Sequence, residues 1–226
     1  MCGRYALKTS VPEIARILGA AESVEFPPSY NVAPTRKVPV CRVSETGARE
    51  LALLRWGLVP HWAHAVDDKY RMINARAESV ASKPAFRTPF RRRRCLVPAD
   101  GYYEWKAIGK RKQPYFICMQ DEAPFFLAGL WDRWDKGEDD PVESFAIVTT
   151  TANDLGAEVH ERMPVILKPE RHDVWLDPAV QDTAVLTPLL DPYAGGGMTL
   201  RPVSTYVNSP RNDGARCAEA LVDVPS

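Results

Sequence analysis

Apolar and polar residues alternate in short blocks along most of this chain, and one block near its start carries a helical period instead. There Ile14, Ile17 and Leu18 follow Ser10-Val-Pro-Glu13, a capping-box start, and Gly19 ends the run. The spacing predicts a helix over 10–19. Pro27-Pro28-Ser29-Tyr30-Asn31-Val32-Ala33-Pro34 reads as a rigid extended loop. Val38–Val43 and Leu51–Trp56 are dense in β-formers and predict two strands paired across Ser44–Arg49. Met72-Ile73-Asn74-Ala75-Arg76 leads into a short helical stretch over Glu78–Ser82, broken at Pro84. Cys95–Pro98, Tyr102–Trp105, Tyr115–Met119, Phe125–Leu130 and Phe145–Thr150 follow as strands separated by Gly, Pro or Asp. Such close spacing predicts an antiparallel sheet that meanders. Short helices are expected over Asn153–Val159 and Glu170–Leu176, and a last strand over Leu200–Val203. The pattern contains no repeat and no linker, so residues 1–226 are expected to form one α+β domain, mostly β.

Composition sharpens this picture. At 45% hydrophobic and 26% charged the chain has the make-up of an ordinary globular protein. Proline is the outlier, with 20 of 226 residues against a typical ~5%. Prolines break helix interiors and central strands, which excludes a long-helix bundle. The N-terminal segment has no apolar signal core, and no stretch approaches the ~20 apolar residues of a membrane span. A cytoplasmic protein with no membrane partner is expected.

Charge balances overall, with 29 basic and 29 acidic residues, but its distribution is uneven. Between Arg71 and Arg94 eight basic residues face one acid, Glu78. From Asp132 to Glu143 acids dominate. A basic block in a neutral protein is either a phosphate-facing surface or a solvated loop.

Five cysteines, odd in number and without a C-x-x-C pair, argue against a disulfide framework or a cysteine-rich zinc site. Cys95 and Cys118 sit in apolar runs and read as inert core thiols. Cys2 is different. Removal of Met1 would leave it with an α-amine and a thiol on adjacent carbons. The amine has a reference pKa near ~7.7–8.0 and the thiol near ~8.5, so each is partly nucleophilic at neutral pH. With an aldehyde the amine forms a Schiff base, and the thiol then closes a thiazolidine ring. The alternative is a cysteine that merely follows methionine.

Glu104 lies in Asp100-Gly-Tyr-Tyr-Glu-Trp105; on a strand it shares a face with Tyr102, opposite Tyr103 and Trp105. An acid among aromatics is either desolvated, with a raised pKa suited to proton transfer, or an ordinary solvent-facing glutamate. His160-Glu-Arg162-Met-Pro164 fails as H-E-x-x-H, leaving His160 as an acid/base or structural histidine and Arg162 as a phosphate ligand. His61-x-x-His64 lacks an evident third ligand, so no metal or cofactor is expected. Asn74 and Arg76 would point to one face of an extended segment. Trp56, Trp62 and Trp105 either stack on bases or fill the core.

Seven motifs then occur in order: Met1-Cys2-Gly3-Arg4-Tyr5, Tyr30-Asn-Val-Ala-Pro34-Thr35, Trp56-Gly-Leu-Val-Pro60, Asn74-Ala-Arg76-Ala-Glu78, Cys95-Leu-Val-Pro98, Gly101-Tyr-Tyr-Glu-Trp105 and His160-Glu-Arg-Met-Pro164. Together they closely resemble the SRAP family (SOS-response-associated peptidase domain, also called abasic site processing proteins), over essentially the whole chain. The resemblance implies a compact set of coiled β-sheets with short helices around a basic cleft. It implies a protein that binds single-stranded DNA at abasic sites at replication forks and crosslinks itself to the ring-opened deoxyribose. On that resemblance Cys2 is the crosslinking residue and Asn74 positions its amine. Glu104 and His160 form the acid/base pair. Arg4, Arg76 and Arg162 contact phosphates, and Pro34 and Trp56 wall the sugar and flanking bases, supported by Trp105. The chain is expected to act as a monomer, nucleoid-associated when on DNA. Two other classes remain open at this point: a cysteine peptidase acting on its own initiator methionine, and a non-covalent single-strand-binding module.

Overall fold

The computed structural model describes residues 2–66, 72–136, 141–194 and 196–221. In chain order its strands and helices are β1 (Tyr5–Leu7), α1 (Val11–Leu18), β2 (Ser29–Val32), β3 (Lys37–Val43), β4 (Arg49–Trp56), β5 (Asn74–Arg76), α2 (Arg87–Arg92), β6 (Arg94–Ala99), β7 (Gly101–Ile108), β8 (Arg111–Met119) and β9 (Phe125–Trp134). Then come β10 (Val142–Thr151), α3 (Asp154–Ala157), β11 (Arg162–Pro164), β12 (Ile166–Leu167), α4 (His172–Leu176), α5 (Thr183–Leu186) and β13 (Met198–Pro202). The architecture is α+β and mainly β, as the sequence leads one to expect.

Helix α1 shows how local signals act. Ser10 caps its start, accepting the Glu13 N–H at 3.4 Å, and Gly19 ends it in the left-handed region at φ 60°. Its buried face is Val11, Ile14, Ala15 and Leu18, whereas Ile17 faces outward. Strands β3 and β4 form the expected hairpin, with Val43 opposite Arg49. The stretch Glu78–Ser82 is a series of turns rather than a helix, in which the Ser79 carbonyl accepts from both Ser82 and Lys83. The helix comes later, as α2, where Pro89 is tolerated because first-turn N–H groups have no intrahelical acceptor. The Pro27–Pro34 segment is also less of a loop than its prolines suggest, since Ser29–Val32 pairs with β1.

Two sheets result. One runs β13-β8-β7-β1-β2 and is antiparallel throughout. The other runs β11-β10-β4-β3-β6-β9-β12, and β9 also pairs back to β10. Strands β10, β4, β3, β6 and β9 therefore close a ring, which leaves no open edge among them. The expected antiparallel meander is only part of this, because β10 pairs in parallel with both β4 and β5. The largest buried cluster draws on both sheets, joining Tyr5, Leu7 and Tyr102 to Trp56, Phe145 and Ile147. Cys95 and Cys118 are buried and unbridged, and so are Cys41 and Cys217.

Candidate functional site

Strand β1 brings the N-terminus to the reactive corner. Tyr5 pairs with Tyr102 and Ala6 with Gly101, so Cys2 reaches the part of β7 that carries Glu104. A glycine is required at position 101, since a Cβ there would come 2.1 Å from the Phe116 ring. Along β7 the predicted alternation holds: Tyr102 packs in the cluster that contains Cys2, while Tyr103 and Trp105 pack in another on the opposite face. Strand β10 supplies the other half of the corner. Asn74 and Arg76 on β5 pair in register with its Ile147 and Thr149, and Arg162 on β11 pairs with its Thr151. His160 is held between α3 and β11, its N–H donating to the Gly156 carbonyl at 3.0 Å.

Cys2 is fully buried. The Asn74 side-chain N–H donates to the Cys2 carbonyl at 2.8 Å, and its Oδ1 is buried with no partner among the described residues. Burial pushes the Cys2 thiol well above its ordinary range, and the Glu104 carboxylate adds to the shift. In the chain that still carries Met1, burial thus disfavours the thiolate, and a nearby base would be needed to remove the thiol proton. Glu104 is 3% exposed, and burial raises its pKa. The His160 Nδ1 accepts the Arg162 backbone N–H at 2.9 Å, so the neutral ring carries its proton on Nε2. Glu104 and His160 line one cleft of about 450 Å³ together with Trp105, Lys112 and Asn208. Lys112 and Asn208 carry no motif, and the sequence does not single them out.

The other expected site residues fall into distinct environments. Arg76 is exposed, and no described residue accepts a hydrogen bond from its guanidinium. Arg162 is committed to the protein, donating to both Glu78 oxygens at 2.5 and 3.0 Å and to the Thr149 carbonyl at 2.7 Å. That contact holds the Glu78 carboxyl below its usual range. Arg4 donates to Asn31 Oδ1 at 2.7 Å and to the Val207 carbonyl at 2.8 Å, and lies 5.9 Å from the Trp105 ring. A phosphate would have to compete with these acceptors. Trp105 is half-buried, with its indole N–H on Asn208 Oδ1 at 2.8 Å. Pro34 is half-buried in the Ala33–Arg36 turn, whose Thr35 sits in the left-handed region at φ 75°, a strained conformation for a β-branched residue.

Trp56 requires a correction. It has no exposed surface; its ring packs on Tyr5 and Phe145 at 5.2 and 6.5 Å, and its N–H reaches the Ile73 carbonyl. It is a core residue rather than a wall for DNA. The exposed tryptophan is Trp62.

His61 faces Asp132 at 2.9 Å rather than a metal partner, and among the described residues no three His, Cys, Asp or Glu side chains converge. Within the acidic segment, Asp132 is buried in β9, and Glu143 on β10 pairs with Arg42. Residues 137–140, which include Glu138, Asp139 and Asp140, lie outside the described residues. No helix among the described residues is long and apolar enough to cross a membrane.

The family model for SRAP, SOS response associated peptidase, matches residues 1–210. The chain belongs to the SRAP family. Its relatives include the abasic site processing protein YoqW of Bacillus subtilis, 39% identical over 97% of this chain and 100% of that protein. The abasic site processing protein YedK of Escherichia coli is 32% identical over 98% of this chain and 100% of its own length. A crystal structure of a protein from Bacteroides thetaiotaomicron superimposes with a TM-score of 0.87 at 30% identity, covering 98% of this chain and 100% of that one. An SRAP fold built on a ring of strands thus holds Cys2, Asn74, Glu104 and His160 at one corner.

Proposed function

We propose that this SRAP protein senses abasic sites in single-stranded DNA and shields them by forming a thiazolidine crosslink through Cys2, with residues 1–226 working as one unit at replication forks. The observation that carries this reading is the Asn74 amide. Its N–H holds the Cys2 carbonyl while its buried oxygen stays open, ready to accept a hydrogen from the Cys2 amine once Met1 is gone.

The chemistry then follows from the corner. The abasic sugar is mostly a closed hemiacetal, and opening it requires a proton on the ring oxygen and loss of one from the C1′ hydroxyl. His160 with its proton on Nε2 and Glu104 with its raised pKa suit those two transfers. The Cys2 amine adds to the aldehyde carbon and water leaves, forming the imine. Glu104 takes the thiol proton, the sulfur bonds to the imine carbon, and a proton is delivered to the nitrogen. Arg4, Arg76 and Arg162 line the phosphate path, with Arg76 the one not held by a protein acceptor. Pro34 and Trp105 flank the sugar.

Intact mass after mixing with a short abasic strand tests this reading, with an added peptide followed in parallel for cleavage. The expected product is protein plus strand minus water. Cys2→Ser forms only an imine that borohydride traps, and residues appended before Cys2 abolish the adduct because the amine becomes an amide. A heat-stable adduct from either variant without reductant overturns the thiazolidine.

A further inference from the structure

We infer that the face of α2 bearing Arg87 and Arg91 is a second binding site for DNA phosphates, which continues the strand's path beyond Arg76; this rests on the function proposed above. The basic run divides sharply in the structure. Arg94 is buried and donates to the Phe90, Arg91, Trp175, Asp177 and Val180 carbonyls. Arg93 pairs with Asp132 at 2.8 Å, and Arg92 donates to Gln181 at 3.2 Å. Arg87 and Arg91 are exposed, and no described residue accepts from either guanidinium.

Two clefts meet at these side chains. One, of about 330 Å³, is lined by Ala81, Ser82, Arg87, Thr88 and Arg91. The other, of about 390 Å³, is lined by His61, Trp62, Pro84, Arg87 and Thr88. Arg87 serves both, and no acid lines either. The two arginines stand four apart on one helix face, where like charges repel. An anion between them removes that repulsion, and the Ser82 and Thr88 hydroxyls add donors suited to phosphate oxygens.

Continuity with the reactive corner is covalent. Arg76 ends β5, and consecutive turns link it to the helix through Ser79 N–H to the Arg76 carbonyl at 3.1 Å, Lys83 N–H to Ser79 at 3.0 Å and Arg87 N–H to Lys83 at 2.9 Å. The chain thus runs from Arg76 to α2 through turns, with no intervening strand or helix.

The test compares a short abasic strand that spans only the central cleft with strands extended by several nucleotides, first on the 5′ side and then on the 3′ side. The unsubstituted protein should bind one extended strand more tightly, with a log–log salt slope steeper by about 1.4, two contacts at ~0.7 each. Arg87→Ala with Arg91→Ala should lose that increment and bind both lengths alike, while Arg87→Lys with Arg91→Lys keeps it. Arg87→Gln with Arg91→Gln, which preserves helix propensity, should match the alanine pair. The inference is overturned if neither extension gains affinity, or if the gain survives in both neutral pairs. Adduct formation by the unsubstituted protein on the short strand reports separately on the proposed function.

Discussion

Glu104 and Asp132 are two carboxylates at 3% and 1% exposure, and the fold treats them in opposite ways. Asp132 is saturated. One oxygen takes the His61 main-chain N–H at 3.0 Å and the His61 ring at 2.9 Å; the other takes Arg133 N–H at 2.9 Å and Arg93 at 2.8 Å. It staples the segment after β4 to β9 and the end of α2. Glu104 sits instead beside a buried thiol and lines a cleft with His160, and its pKa is raised by burial. Burial alone does not mark a reactive acid. What separates the two is their surroundings: Asp132 is tied to the Arg93 guanidinium and three further donors, whereas Glu104 borders a buried thiol and a cleft shared with His160.

The largest expected effect is on rate at the Glu104 corner. Glu104→Gln keeps shape and polarity but removes the proton acceptor, so crosslink formation should slow by ~10²–10⁴-fold with little loss of DNA affinity, measured by timed denaturing gels. A change below about twofold would place Glu104 beside Asp132 as a structural acid. Asp132→Asn should do the reverse. It leaves Arg93 without its counter-charge, costing about 3 kcal/mol in denaturant unfolding, the lower end for a broken buried pair because Arg93 keeps some exposure. Crosslinking per folded molecule should be unchanged.

Linkage gives a third, smaller contrast. Burial raises Glu104 in the folded state, so the folded protein keeps this proton where the unfolded chain has lost it. Stability contributed by this group is therefore full below the ordinary carboxylate range and falls as pH rises through the raised value, by up to about 1.4 kcal/mol per pH unit. Glu104→Gln should remove that slope and gain stability relative to the unsubstituted protein at neutral pH, with the two converging in acid. Denaturant midpoints measured across pH check the sign. The smallest effect belongs to His61→Ala, which removes one of four donors from Asp132 and should cost about 1 kcal/mol. A loss as large as that of Asp132→Asn would mean that the histidine, not Arg93, holds the acid.

Legibility in the sequence follows the range of the forces involved. The Ser10 cap, the Gly19 stop and the β3–β4 hairpin rest on contacts within a few residues, and their patterns predict them. So does the alternation on β7 that puts Glu104 and Tyr102 together. The parallel pairing of β10 with β4 and β5 joins segments far apart in the chain and leaves no local trace. Nor does any pattern separate Trp56, buried at the centre, from Trp62 at the surface, or Arg94 in its cage of carbonyls from Arg91 three residues before it.

Cys2 shows the division most clearly. Its place directly after Met1 is a covalent fact, and the sequence alone determines that removal of Met1 yields an amine and a thiol on adjacent carbons. The order of motifs likewise points to Asn74, Glu104 and His160 as its companions. Whether that thiol is ionised was decided only by tertiary structure. Ionisation depends on how much water and which charges surround the sulfur, and those come from β1, β5, β7 and the segment between α3 and β11 meeting at one corner. The same desolvation that keeps the thiol protonated raises the glutamate that must deprotonate it.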